Sequence, residues 1–368
     1  MTRLGYLLIW SIFVGTFSRA NGFVRTSSPS QANLPPRNSK LSSTSTDADY
    51  AVVGVVAPLK YLGSYPCLGL RFPHLSTTFE FLLDTGANIN AVNPKFVKEL
   101  SLPLLASSKD LGVLGSSGIG GSIQPGDLFN LGDCELVGLP PEQTTTFMRN
   151  LPAAAIVHST PVGDGLLGLN FFLSFPAGVE FDWYGTDDDP PTLVFYYGND
   201  LPKINNIQKG LVRVPLTGLP VGLLSLTINI NGVDMPALLD TGSVITVLNK
   251  EAADLAGIEI VSPVDMDSEN PHQKQNYGDK HLIVGGVDGV PVTLCRSLSK
   301  VSIRAGDASF GEGFVYVGDL PGLKMVAGFT GQELPAVVLG LDSLRRTYRM
   351  ILRAPANELY FEQLPKKK

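Results

Sequence analysis

Two aspartates with matching surroundings are the residues of this chain best suited to do chemistry. Asp84 and Asp240 each begin an Asp-Thr-Gly triplet, and two leucines precede each of them. Counted from each aspartate, the fifth residue is isoleucine, the eighth is apolar and the ninth is asparagine in both copies. One such triplet is an ordinary turn signal after a strand, whereas two copies in the same frame indicate an internal repeat.

A repeated unit can bring two identical groups together where its copies meet. Two carboxyl groups about 3 Å apart cannot both ionise, so they share one proton. One group then acts as a general base on water and the other as a general acid. The repeat therefore predicts a pair formed by Asp84 and Asp240 that activates water for hydrolysis.

At these residues the chain resembles the aspartic proteases, as a single chain of two retropepsin-like halves between about residues 50 and 363. Further segments at comparable places in the two halves carry the resemblance: Gly118-Ile119-Gly120-Gly121, Gly165 to Asn170, Gly285 to Gly289 and Val337 to Asp342. It implies an all-β, bilobal fold with short helices. It also implies an endopeptidase that acts on a peptide or protein substrate and needs neither a cofactor nor a metal.

The resemblance assigns roles to individual residues. Asp84 and Asp240 are the expected catalytic residues, and the residues expected to support them are Thr85, Gly86, Thr241, Gly242 and Ser243. The two threonines are expected to hydrogen-bond between the lobes beneath the carboxyl groups. The Ser243 hydroxyl is expected to donate to Asp240, whereas Ala87 at the matching position cannot, so Asp84 is expected to hold the shared proton.

The glycine-rich segments suggest substrate-binding flaps. The first half carries Gly118, Ile119, Gly120 and Gly121 where a retropepsin has its flap, and Gly285 and Gly286 are the corresponding residues in the second half. A flexible hairpin of this kind closes over substrate and excludes water. The same glycines also suit a plain loop or a hairpin turn, and that alternative stays open.

Apolar runs separated by turn residues predict the strands and the domain limits. Residues 79–83 read as a strand that runs into Asp84, and Asn93 and Asn249 read as N-caps of short helices. We expect lobes over residues 50–200 and 213–364, joined by a linker over 201–212. Because both triplets lie in one chain, the mature protein is predicted to be a monomer.

The first 46 residues hold five basic residues and no acidic one. An apolar run behind Arg3 predicts a signal peptide over residues 1–22, too short for a membrane span, and none is expected in the mature protein. Residues 23–49 read either as a transit-like segment of a bipartite plastid presequence or as the pro-segment of a secreted or vacuolar enzyme. The remainder has a net charge of about −11, which argues against nucleic acid as a partner.

Other kinds of site find less support. Residues 163–168 have a dinucleotide-binding spacing but do not open a βαβ unit, and the four histidines lack metal-ligand spacing. The three cysteines are widely spaced and predict buried free thiols. The alternative to an active protease is a catalytically silent peptide-binding or scaffolding protein on the same fold, which would not need two carboxylates.

Overall fold

Short strands make up most of the protein, as the alternation of apolar and turn residues predicts. The computed structural model describes residues 7–9, 54–108, 114–117, 123–139, 145–156, 163–185, 190–197, 210–219, 222–261, 280–285, 291–320, 322–323 and 334–363. Within these ranges the α-helices are four or six residues long: Pro94–Glu99, Leu169–Phe172, Lys250–Leu255 and Leu341–Leu344. Two 3₁₀ turns, Pro73–Leu75 and Ala354–Ala356, follow strands. The all-β class predicted from the sequence is confirmed.

The first lobe is built on a nine-stranded sheet. Its strands, in spatial order, are Glu135–Leu136, Tyr65–Phe72, Thr77–Leu83, Gly165–Leu167, Ala91–Val92, Pro152–Ala155, Leu128–Asn130 and Leu104–Ala106, with Lys60–Leu62 paired to Tyr65–Phe72. The strand Gly165–Leu167 lies between Thr77–Leu83, to which it is parallel, and Ala91–Val92, to which it is antiparallel. It therefore sits between the two strands that flank the first triplet.

The second lobe repeats this arrangement in a ten-stranded sheet. Its strands, in spatial order, are His281–Gly285, Pro291–Arg296, Tyr316–Val317, Val247–Leu248, Val337–Leu339, Val233–Leu239, Leu224–Ile230, Val301–Ala305 and Ala308–Gly313, with Thr217–Gly218 paired to Leu224–Ile230. Val337–Leu339 is parallel to Val233–Leu239 and antiparallel to Val247–Leu248. The internal repeat in the sequence thus corresponds to a repeat in topology.

A six-stranded sheet joins the lobes. Its strands, in spatial order, are Leu211–Pro215, Glu358–Glu362, Arg349–Arg353, Gly178–Asp182, Thr192–Tyr196 and Gly54–Pro58. The central strand Gly178–Asp182 is buried along its whole length, as expected of a strand covered on both faces. The predicted linker, residues 201–212, ends inside this sheet, because Leu211 and Val212 begin its first strand.

Buried ion pairs and aromatic rings hold this shared sheet together. Arg349 in the second half bonds Glu180 in the first half at 3.0 Å, and Tyr196 donates to the same glutamate at 2.6 Å. The Trp183 ring stacks on Phe181 with centroids 4.8 Å apart. The Arg349–Glu180 pair and the pairing of strand Gly178–Asp182 with strand Arg349–Arg353 cross the boundary between the two repeats, so both halves contribute to the shared sheet.

Two local predictions from the sequence are confirmed. The Asn93 side chain accepts a hydrogen bond from the Lys95 amide, and the Asn249 side chain accepts one from the Ala252 amide, so both asparagines cap helices. The three cysteines are buried free thiols. A three-stranded sheet of Leu7–Ile9, Leu114–Ser117 and Ile123–Pro125 completes the described strands.

Candidate active site

The two triplets occupy equivalent positions at the ends of equivalent strands. Thr77–Leu83 ends immediately before Asp84, whose amide donates to the Leu167 carbonyl at 3.0 Å. Val233–Leu239 ends immediately before Asp240, whose amide donates to the Leu339 carbonyl at 3.2 Å. We call residues 84–90 the first loop and residues 240–246 the second loop.

The carboxyl groups of the two loops meet at the lobe interface. Both aspartates are 0% exposed. A β-carbon on Gly86 would lie 2.5 Å from Cγ of Asp240, and one on Gly242 would lie 2.4 Å from Oδ1 of Asp84. Each triplet glycine is therefore required for close approach of the opposite aspartate, since real β-carbons do not come within these distances. The repeat brings together the two residues that the sequence singles out.

Each carboxyl group is also held by its own loop. The Gly86 amide donates to Oδ1 of Asp84 at 2.9 Å, and the Gly242 amide donates to Oδ1 of Asp240 at 2.8 Å. Oδ2 of Asp240 is buried and receives no hydrogen bond from a donor in the described part of the chain. Each aspartate is thus fixed through Oδ1 by the amide of the second residue after it.

The electrostatics of the pair favour one retained proton. Burial raises the pKa of Asp240 well above its ordinary value, and the neighbouring charge of Asp84 raises it further. The amides of Gly242 and Ser243 oppose the rise by hydrogen-bonding to the ionised form. Because the two groups interact strongly, the resulting titration belongs to the pair. Ionisation of one carboxyl therefore favours retention of the proton by the other.

Reciprocal threonine contacts lock the two loops beneath the carboxyl groups. The Thr85 hydroxyl donates to the Leu239 carbonyl at 2.9 Å and accepts from the Thr241 amide at 3.0 Å. The Thr241 hydroxyl donates to the Leu83 carbonyl at 2.8 Å and accepts from the Thr85 amide at 3.0 Å. These four bonds are those that the resemblance implies for the two threonines.

The expectation that the Ser243 hydroxyl donates to Asp240 is wrong. Its hydroxyl donates to the Ile245 carbonyl at 2.7 Å, within its own loop, and a hydroxyl has only one proton to donate. Asp240 is hydrogen-bonded by the backbone amides of Gly242 and Ser243, and the serine hydroxyl does not favour its ionised form. The reason for placing the shared proton on Asp84 is thereby removed.

Two polar residues that support the loops were missed in the sequence. Oδ1 of Asn90 accepts from the Gly168 amide at 3.0 Å, and Oγ1 of Thr246 accepts from the Gly340 amide at 3.2 Å. Both residues stand six positions after their aspartate, so the repeat frame itself was the signal that could have identified them. Each glycine immediately precedes the short helix that packs on its loop.

Only one of the six residues predicted to form the flaps, Gly285, is among the described residues. Gly118, Ile119, Gly120, Gly121 and Gly286 lie outside the described residues. The strands on either side of them are described: Leu114–Ser117 pairs with Ile123–Pro125, and His281–Gly285 pairs with Pro291–Arg296. Gly285 is the last residue of its strand, opposite Pro291. Antiparallel strands therefore flank both glycine-rich segments, and the role of these segments as flaps stays a prediction.

Other types of site can be compared with the same structure. The residues at 165–167 form a strand, and the next strand, Gly178–Asp182, belongs to another sheet rather than continuing a βαβ unit. Among the described residues, no group of three or more His, Cys, Asp or Glu side chains could hold a metal. Burial raises the pKa of the Cys67 and Cys134 thiols to about 12, which makes them poor nucleophiles. No helix in the described ranges is long and apolar enough to span a membrane.

The first half of the chain matches a known protein family. Residues 75–171 match the family model described as "Aspartyl protease". Comparison with curated protein sequences gives no significant match. The match to the family model spans the first triplet, the first loop and the glycine that packs on it.

Several solved structures resemble this one at low sequence identity. An aspartic proteinase from Irpex lacteus has 13% identity and a TM-score of 0.42, with 85% of this chain and 98% of that chain covered. Basic 7S globulin from soybean has 14% identity and a TM-score of 0.43, covering 84% and 95%. A retropepsin-like aspartic protease from Rickettsia conorii has 15% identity and a TM-score of 0.25, covering 42% of this chain and 90% of that chain. Over residues 75–171 the chain is therefore similar to aspartyl proteases, and the second triplet lies outside that match.

Proposed function

We propose that this protein is an aspartic endopeptidase that hydrolyses peptide bonds in a peptide or protein substrate. One observation carries the proposal: Asp84 and Asp240 are buried against each other at the lobe interface, with reciprocal glycine and threonine contacts holding them in register. Burying two carboxyl groups costs free energy unless their charge is shared or compensated. Each half buries one carboxyl group despite this cost, so the arrangement is suited to a chemical role.

The pair would act through water. The ionised carboxyl removes a proton from a water molecule as that water attacks the peptide carbonyl carbon, and the protonated carboxyl donates to the carbonyl oxygen. When the tetrahedral intermediate collapses, the carboxyl that took the water's proton gives it to the nitrogen as the C–N bond breaks, and the other carboxylate takes a proton from a hydroxyl of the intermediate as the new carboxylic acid forms. No covalent bond forms between the protein and the substrate, so reagents that modify serine or cysteine are not expected to inhibit.

Features of the whole chain extend the proposal. Both triplets lie in one chain, 156 residues apart, so a second copy is not needed to complete the pair. We propose a monomer that enters the secretory route. Residues 23–49 would direct it to a plastid or, in the alternative, serve as a pro-segment of a secreted or vacuolar enzyme.

One observation favours a second candidate, a protein that binds peptides without cleaving them. Both aspartates are 0% exposed, and a peptide bond must reach them for hydrolysis to occur. A protein whose aspartates stay covered could bind a peptide at its surface without hydrolysing it. Binding and cleavage therefore have to be measured together.

The test uses the purified full chain and a peptide library, with cleavage products identified by mass spectrometry and binding measured on the same peptides. The endopeptidase proposal predicts new termini for the wild-type chain and none for Asp84→Asn, which keeps the size of the side chain and should keep peptide binding. Saturable binding without new termini across acidic to neutral pH would support the second candidate instead. Equal cleavage by the wild type and Asp84→Asn would assign the activity to another site.

A further inference from the structure

The hydroxyl of Thr246 is the centre of a small network behind the second loop. A hydroxyl has one proton to donate and two lone pairs to accept with. The Thr246 hydroxyl accepts from the Gly340 amide at 3.2 Å and donates to Oδ1 of Asp342 at 2.6 Å. Its oxygen also lies 2.8 Å from the Ser343 hydroxyl. All of its hydrogen-bonding capacity is used when the proton points at Asp342.

The direction of that proton matters for the loop. If the Thr246 proton pointed towards Gly340, the glycine amide would lose its acceptor in a buried position. The Asp342 carboxyl at 2.6 Å and the Ser343 hydroxyl at 2.8 Å can each accept this proton, and the carboxylate is the shorter and more strongly accepting partner. With the proton on that side, a lone pair faces Gly340. Since Gly340 follows Leu339, whose carbonyl accepts from the amide of Asp240, the orientation of one hydroxyl is linked to the backbone that holds the second aspartate.

The first loop achieves the same contact without a carboxyl group. Asn90 accepts from the Gly168 amide through Oδ1 and donates to the Pro152 carbonyl through Nδ2 at 3.0 Å. An amide oxygen is always an acceptor, so no neighbour is needed to orient it. The residue that corresponds to Asp342 is Asn170, two positions after Gly168, and its Oδ1 makes no hydrogen bond within the described residues.

Asp342 is also tied to the second loop through its backbone. Its amide donates to the Val244 carbonyl at 3.2 Å, and the preceding amide, that of Leu341, donates to the Ser243 carbonyl at 2.8 Å. The side chain is partly buried beside Thr246, with Arg346 as a nearby positive charge. The carboxyl is therefore fixed relative to the loop whose hydroxyl it accepts from.

From this network we infer that Asp342 is a positioning residue for the second catalytic loop. It acts by accepting the Thr246 proton, which keeps the Thr246 oxygen as the acceptor for the Gly340 amide and so holds the backbone around Asp240. The effect on kcat rests on the proposed endopeptidase function. The effect on the hydrogen bond of the Gly340 amide does not.

The kinetic test compares Asp342→Ala, Asp342→Asn and Thr246→Val in the full chain. Loss of the acceptor or of the hydroxyl should lower kcat by about tenfold to 100-fold, the scale expected when a reacting group is misplaced by up to about 1 Å, with KM changed much less. Asp342→Asn keeps an acceptor oxygen and should retain kcat within about threefold. The Asp342→Ala, Thr246→Val double variant should lose no more than either single variant, because both remove the same contact.

The chain offers a matched control. Asn170→Ala alters the corresponding position of the first half and should leave kcat within about twofold, since Asn170 Oδ1 does not hydrogen-bond its loop. Wild-type kinetics in Asp342→Ala, or a loss in Asp342→Asn as large as that in Asp342→Ala, would overturn the inference while leaving the endopeptidase proposal in place.

A second readout needs no activity. Hydrogen exchange at the Gly340 amide should be faster in Asp342→Ala and Thr246→Val than in the wild type, and unchanged in Asp342→Asn and Asn170→Ala. If the wild-type chain cleaves no peptide, the proposed function fails and this measurement still decides the inference. Unchanged exchange at Gly340 in Asp342→Ala would refute it, whatever the kinetics show.

Discussion

Replacing Thr85 by valine tests the lock between the two loops most sharply. Valine has nearly the shape of threonine but can neither donate nor accept, so the substitution removes two interlobe hydrogen bonds without opening a large cavity. The partners left behind are the Thr241 amide and the Leu239 carbonyl, which bonded the hydroxyl at 3.0 and 2.9 Å. Thr85 is 0% exposed, so water does not replace the hydroxyl readily.

The expected loss of stability follows from these two groups. A buried donor or acceptor left without a partner costs about 1–3 kcal/mol. Two such groups give about 2–6 kcal/mol, and we expect a value of about 3–4 kcal/mol because some relaxation is available. Thr85→Ser keeps the hydroxyl and loses one methyl group, for which about 1 kcal/mol is expected.

The assay is urea denaturation of wild type, Thr85→Val and Thr85→Ser, followed by circular dichroism and by tryptophan fluorescence. Coincident transitions from both probes would justify a single free energy of unfolding. The account predicts that Thr85→Val is at least about 2 kcal/mol less stable than Thr85→Ser. Equal stability of the two variants would mean that the reciprocal threonine bonds do not hold the lobes together, and the reasoning about the interface would be wrong.

Two further predictions concern pH. Ser243→Ala should move the acid limb of the activity profile by less than about 0.3 pH units, roughly 0.4 kcal/mol, because the lost hydroxyl bonds Ile245 rather than Asp240; a shift of a full unit would show that the hydroxyl reaches the carboxyl pair. Asp240 has a pKa in the folded protein well above its ordinary 3.8, so the stability it contributes is present below that value and is lost as pH rises through the folded pKa. Asp240→Asn cannot ionise at this position, and its melting temperature should rise relative to that of the wild type as pH increases above about 4. A difference that is flat or falls with pH would contradict the raised pKa.

The repeat frame made much of the site predictable from sequence. Matching positions of Asp84 and Asp240 imply equivalent loops, and the glycine after each threonine follows from the need for close approach. Strands that alternate or are wholly apolar, and asparagines placed before short helices, identified the elements that carry these loops. These are local signals, which one sequence contains in full.

Contacts between residues that are far apart in the sequence could not be predicted from it. The acceptor of the Ser243 hydroxyl depends on the folded backbone of the loop, in which the Ile245 carbonyl receives the proton. Asp342 is 96 residues from Thr246, so no spacing in the sequence joins them. The same holds for the ion pair of Glu180 with Arg349, which depends on strand register in the shared sheet.

The central claim is that Asp84 and Asp240 form one hydrolytic site, and a double-mutant cycle on peptide hydrolysis tests it most directly. Initial rates would be measured for the wild type, Asp84→Asn, Asp240→Asn and the double variant, with one peptide taken from the library digest. If the two carboxyl groups act as a unit, each single change should lower the rate by at least about 1000-fold, roughly 4 kcal/mol, and the double change should lower it no further. Substantial activity in either single variant, or losses that multiply in the double variant, would contradict a shared site.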